Sequence, residues 1–168
     1  NVLPPGVERH VVNAGGLTGL QIFPDDEIEI INEEGNQICE IICFDKDGKS
    51  ELGILNQKEN CKKSFIKELL KGKDESSLIT NLQLKKRNLD INKSKSSILF
   101  DEQTPSGEKI KIKSKDKCYV IFAAPQNNML VSEQNPSSDL TLYIKRYKII
   151  NDKESVSYTH LTLPTKVY

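Results

Sequence analysis

The chain has 168 residues, 36% hydrophobic and 29% charged, with lysine plus arginine equal to aspartate plus glutamate at 24 each. That length suits one domain that closes its own core without disulfide or metal staples. The neutral balance gives no electrostatic case for nucleic acid or an anionic membrane, and no apolar run nears the roughly 20 residues of a membrane span.

The start, "NVLPPGVERH", has neither an initiator Met nor the charged-then-apolar pattern of a secretory signal, so a fragment or processed chain is expected. "ERHVVNA" and "LTGLQIF" predict two strands around the turn "AGG". In "DEIEIIN", Glu27 and Glu29 alternate with Ile28 and Ile30, which predicts a strand with one wet and one buried face. "NEEGNQ" predicts a turn, "ICEIICF" a largely buried strand, and "DKDGK" a further turn with Gly48 free to take positive φ. Short strands at this spacing point to an all-β sandwich or barrel core.

The middle of the chain changes period. "SFIKELLKG" carries Phe65, Ile66, Leu69 and Leu70 at helical spacing, with Ser64 as cap and Gly72 as stop. "DESSLITNLQLKKRNLD" predicts a second helix with Leu78, Ile79, Leu82 and Leu89 on one core-facing stripe, and Lys85, Lys86 and Arg87 near its C-terminus, where cations suit the dipole. From "SSILF" the strand pattern resumes. "EKIKIKS" places Ile110 and Ile112 inward and its lysines outward, as a solvated, protected edge. It is expected to pair with "CYVIFAA" as a hairpin. After a polar loop, "LTLYIKRY" is expected to bury Leu140, Leu142 and Ile144. The predicted fold class is therefore mainly β (α+β): an antiparallel β-sandwich or distorted barrel with two covering helices in the middle of the chain. Residues 1–150 are expected to form this domain. Residues 151–168 are expected to be a linker and a non-native tail, since "VSYTHLTLPTKVY" resembles translated sequencing-adapter sequence.

Chemistry is sparse. Cys39 and Cys43 lie four apart on one predicted strand, about 13 Å at the usual rise, too far for a disulfide or shared metal ligation. No C-x-x-C occurs, and His10 and His160 have no metal-ligand spacing. Four free thiols in a reducing, cytoplasmic setting are expected, with Cys39, Cys43 and Cys118 in the core and no metal site. "AGGLTGL" sits between strands and so lacks the helix that a phosphate loop needs. There is no G-x-S-x-G elbow and no H-E-x-x-H. Glu40 stands out, because it shares a predicted strand face with Ile38, Ile42 and Phe44. A carboxylate in such company is expected to be paired or hydrogen-bonded, for example with Arg146 or Arg9, or to have a raised pKa, or else to serve a ligand or reaction.

The stretch "IEIINEEGNQICEIICFDKDGK" resembles a signature of the urea-carboxylase-associated domain family, a strand and acidic turn followed by Gly-x-Gln-x-x-acidic and an apolar strand. Here those positions are Gly35, Gln37 and Glu40, closed by Phe44 and Asp45. "SGEKIKIKSKDKCYVIFAAP" and "SSDLTLYIKR" resemble the family's late hairpin and final strand, so the likeness covers most of residues 8–147. Some members resembled here are carboxyguanidine deiminases with a cysteine-based metal site after the late strand. This chain has Ala124, Pro125, Gln126, Asn127 and Asn128 there, and no Cys after position 118.

A second branch of that family, with Glu at the position of Glu40, precedes a folate-dependent aminomethyltransferase domain resembling the glycine cleavage T-protein. That likeness implies a non-catalytic N-terminal accessory or ligand-binding module. The longer protein would pass a one-carbon unit from a methylated amine or sulfonium compound to tetrahydrofolate. Tetrahydrofolate would belong to the downstream domain, leaving no cofactor in this chain. The implied partner is that catalytic domain in cis, and the implied ligand is small and polar. Gln37, Glu40, Asn127, Asn128 and Gln134 are then the ligand-binding candidates. The alternatives are a small amidohydrolase or deiminase with Glu40 as proton shuttle, and a purely structural β domain.

Overall fold

The computed structural model describes residues 2–126 and 136–152. Eight strands form two antiparallel sheets: β1 (Val7–Val12), β2 (Leu17–Ile22), β3 (Glu27–Asn32), β4 (Cys39–Asp45), β5 (Ser96–Leu99), β6 (Glu108–Lys113), β7 (Cys118–Ala123) and β8 (Leu140–Lys145). One sheet runs β1-β8-β3-β6 and the other β2-β7-β4-β5. Successive strands therefore mostly switch sheets, which is the order of a double-sheet jelly roll. Two short helices, α1 (Phe65–Leu69) and α2 (Glu75–Lys86), lie between β4 and β5 in the chain.

The expected sandwich with covering helices is what forms, and its layers explain the strand sequences. Between the sheets, Val12, Ile22, Ile28, Ile30, Ile41, Val120, Phe122, Leu140, Leu142 and Ile144 make one core. On the outside of the β2-β7-β4-β5 sheet, Ile42, Phe44, Tyr119 and Ile121 make a second core with Ile66 and Leu70 of the α1 segment and Leu84 of α2. The central strands β4 and β7 are thus covered on both faces, so "CEIICF" and "CYVIFA" are buried along their length. β3 has only one covered face and alternates accordingly, with Ile28 and Ile30 buried. Leu140, Leu142 and Ile144 are buried, as predicted from β8.

Two sequence expectations are corrected. β6 and β7 do not form a hairpin: β6 pairs with β3 at the rim of one sheet, and β7 sits between β2 and β4 in the other. A lysine-faced strand beside β7 would turn Lys109, Lys111 and Lys113 toward the helix-covered side of that sheet. At the β3 edge the same lysines stay in solvent, and Lys111 and Lys113 approach Glu29 and Asp25. β6 is therefore the protected edge that its sequence predicted.

The second correction concerns α2. Its stripe faces away from the core, leaving Leu78, Ile79 and Leu82 at 51%, 50% and 65% exposure, while Ser77, Thr80 and Leu84 face inward. Leu89 alone of the predicted stripe packs against the outer core. Polar contacts set this roll: Ser77 Oγ donates to Leu69 O at 2.7 Å, Asn81 Nδ2 to Leu70 O at 2.8 Å, and Leu17 N donates to Ser76 Oγ at 3.3 Å. Gly16, just before β2, makes room for α2, and Gly19, on β2, makes room for the Tyr119 side chain of the neighbouring strand β7. A Cβ at Gly16 would lie 3.2 Å from Ser76 Oγ, and one at Gly19 would overlap the Tyr119 hydroxyl.

Candidate functional site

The Gly35, Gln37 and Glu40 positions lie at the start of β4, and each side chain or backbone is already committed. Gly35 has φ +77°, in the turn after β3, and its N–H donates to Asn32 O. A Cβ there would sit 2.7 Å from Ser106 N and from Thr104 O, so backbone rather than a flexible side chain closes the space. Only glycine meets both conditions without strain.

Gln37 is 1% exposed. Its Nε2 donates to Ile38 O and Pro125 O, both at 2.8 Å, and its Oε1 accepts from Ser138 N at 2.8 Å. One amide therefore ties the start of β4 to the exit of β7 and the approach to β8. Asn32 Nδ2 donates to Gln37 O at 2.6 Å and fixes the backbone of the same residue. Asn32 Oδ1 and Ser138 Oγ are buried there without a partner among the described residues.

Glu40 points outward from β4, as its alternation requires, yet it is 0% exposed because α1 lies over it. Its Oε1 accepts from Phe65 N at 2.7 Å and Ile66 N at 3.1 Å. Its Oε2 accepts from Ser64 Oγ at 2.5 Å and Ser96 Oγ at 2.6 Å. Ser64 is the α1 cap, whose hydroxyl also receives Lys67 N at 3.2 Å. The carboxylate thus satisfies the free N–H groups of a helix start, where the dipole also favours negative charge.

Glu40 is hydrogen-bonded, as expected, but neither Arg146 nor Arg9 is its partner, and that part of the expectation is corrected. Arg146 lies across the molecule, bidentate to Glu8 at 2.9 and 3.0 Å, and its Nη1 donates to Asp26 Oδ2 and Gln21 O. Arg9 is exposed on β1. The Arg146 hydrogen bond holds the Glu8 carboxyl below its usual range, against the opposing effect of burial.

Asn127, Asn128 and Gln134 lie outside the described residues, as do His160 and the tail from residue 153 onward. The cysteines are free among the described residues. Cys39, Cys43 and Cys118 face the inter-sheet core. Burial holds the Cys39 thiol well above its usual range, and a hydrogen bond to Cys118 together with burial does the same for Cys43. Thiols so held are poor nucleophiles and poor metal ligands. Cys61 is half-buried and donates to Lys63 O at 3.1 Å. Among the described residues no three His, Cys, Asp or Glu side chains gather as a metal-ligand set. The donors among the described residues do not fit the cysteine-based metal site of the deiminases that the chain resembles.

One cluster escaped the sequence reading. At the opposite end of β7, an open cleft of about 310 Å³ is bordered by Asp45, Arg87, Lys117 and Tyr119. The Arg87 guanidinium lies 4.4 Å from the Tyr119 ring centroid and donates to Gln21 Oε1. Its sequence signal was only a basic residue late in a helix. Both of its interactions brace α2 against β2 and β7.

No family model matches the chain. It is 33% identical over 144 residues to the trimethylamine-oxide aldolase of Ruegeria pomeroyi, covering 86% of this chain and 18% of that protein. Among solved structures it is similar to a DUF1989-family protein of Silicibacter pomeroyi DSS-3, with a TM-score of 0.49 and 11% identity over 83% of this chain and 78% of that one. Among the described residues no helix is long and apolar enough to cross a membrane. The chain is thus a β-sandwich domain similar to under one-fifth of a much longer curated enzyme.

Proposed function

We propose that this chain is a non-catalytic accessory domain of a longer, cytoplasmic one-carbon enzyme of the trimethylamine-oxide aldolase type. The observation that carries the reading is the state of Glu40. Both its oxygens are taken by four donors and none of its surface is open to a substrate. A general acid or base must reach its substrate directly or through one water. Glu40 instead secures α1 to the sheet, and Gln37 secures the strand ends. The family resemblance and the match to under one-fifth of an enzyme fit a domain whose chemistry lies elsewhere in the polypeptide. That remainder would be a folate-dependent aminomethyltransferase domain acting on a methylated amine, with tetrahydrofolate as its cofactor.

A small polar ligand is the further role proposed for the domain, at the Gln37 end of the sandwich, where Asn32 Oδ1 and Ser138 Oγ are two buried polar atoms without a partner among the described residues. The test is to express the whole reading frame beside residues 1–150 and follow loss of trimethylamine oxide by NMR, with and without tetrahydrofolate. Turnover by the longer polypeptide and none by the domain is expected. Turnover by residues 1–150 alone, or a natural stop codon soon after Ile150, would overturn the reading.

A further inference from the structure

α2 inverts the usual order of a surface helix. Its small polar residues Ser77 and Thr80 lie against the sheet layer, while Leu78, Ile79 and Leu82 form a contiguous apolar face in solvent. A surface helix normally buries its apolar stripe, worth roughly 1.5–3 kcal/mol for each large side chain fully covered. The roll of α2 is fixed by the hydrogen bonds of Ser76, Ser77 and Asn81 and by the Arg87 contacts with Tyr119 and Gln21. These three side chains are therefore held outward by specific bonds. Contiguous exposed apolar side chains rimmed by charge mark interaction surfaces. The rim here is Glu75 at the first turn and Lys85 and Lys86 at the last.

We propose that the outer face of α2 is the docking surface for the remainder of the longer polypeptide. This rests on the reading that the chain is one domain of such a polypeptide, and it identifies where that domain is held. The chain matches 18% of its curated relative, so most of such a protein lies outside this sandwich. Three apolar side chains on a helix of 12 residues fall short of the roughly 800 Å² per partner of a stable free interface. A second copy is thus a poor occupant. A tethered partner needs far less area, because the linker supplies an effective concentration near the millimolar range. The occupant is an apolar groove or helix face in cis, with acidic groups opposite Lys85 and Lys86.

The test uses the whole polypeptide carrying Leu82→Cys, labelled with a maleimide and quantified by peptide mass spectrometry. Labelling slowed about tenfold or more relative to the urea-unfolded protein, at every protein concentration, is the expected result. Equal native and unfolded rates would overturn the docking surface while leaving the accessory-domain reading intact. Slow labelling released by dilution would overturn it in favour of a second copy. Equally slow labelling in the 168-residue chain by itself would assign the cover to that chain's own residues and overturn it too. A reading frame that stops soon after Ile150 removes the occupant and fails both readings together.

Discussion

Glu40 and the outer face of α2 are opposite departures from the rule that apolar groups go inside and charged groups outside. Glu40 is a carboxylate with no exposed surface, and the chain resolves it internally with four hydrogen bonds. Leu78, Ile79 and Leu82 are at least half-exposed, and nothing among the described residues covers them. An unusual residue is informative about function only after its neighbours are counted. The suspicious carboxylate is structural mortar, whereas the apparently ordinary leucines are what the fold leaves unsettled.

The largest loss of stability is expected at Glu40. Glu40→Ala strands two hydroxyls and two helix N–H groups in a buried layer, and a loss of about 4 kcal/mol is expected in urea unfolding. A loss near zero would mean that the α1 anchor is not there. Gln37→Leu keeps the volume but leaves Pro125 O, Ile38 O and Ser138 N without their partner, for about 2–3 kcal/mol. Its readout is selective: the Ser138 amide should exchange faster with solvent while amides of β3 keep their protection. Uniform loss of protection would deny Gln37 its role as a tie between strand ends.

Smaller effects are expected at Glu8 and on α2. Arg146 lowers the Glu8 pKa, so that pair contributes stability above the ordinary carboxylate range and loses it as pH falls through the depressed folded value. Glu8 is more than a third exposed, so the contribution is below about 1 kcal/mol, and Glu8→Gln should flatten the acid limb of the stability profile without moving the neutral plateau much. The smallest effect is expected at α2. Replacing Leu78 and Leu82 together by Lys should change the stability of the 168-residue chain by within about 0.5 kcal/mol. A loss of several kcal/mol would mean that these leucines are buried within the chain.

Much of the fold was legible because its signals are local. Alternation located β3 and β8, Ser64 and Gly72 bounded the α1 segment, and the lysines of β6 marked an edge. Strand pairing was not legible. In a jelly roll a strand's neighbours come from far along the chain, as Gly19 meets Ile121 in the register of β2 and β7. No local pattern encodes that choice. The site was half legible: the company Glu40 keeps announced a buried carboxylate, but two of its four donors are the backbone amides of Phe65 and Ile66, which no side-chain letter advertises. The roll of α2 misled for a related reason. Periodicity places the leucines on one face, while the bonds of Ser77 and Asn81 to α1 decide which way that face turns.

We propose that Glu40 holds the fold together and performs no reaction. Glu40→Gln in the whole polypeptide tests it most directly, with unfolding free energy and turnover per folded molecule measured on the same preparation. The account predicts a loss of about 2 kcal/mol of stability with turnover unchanged at a temperature where the variant is folded. Unchanged stability with turnover abolished would contradict it.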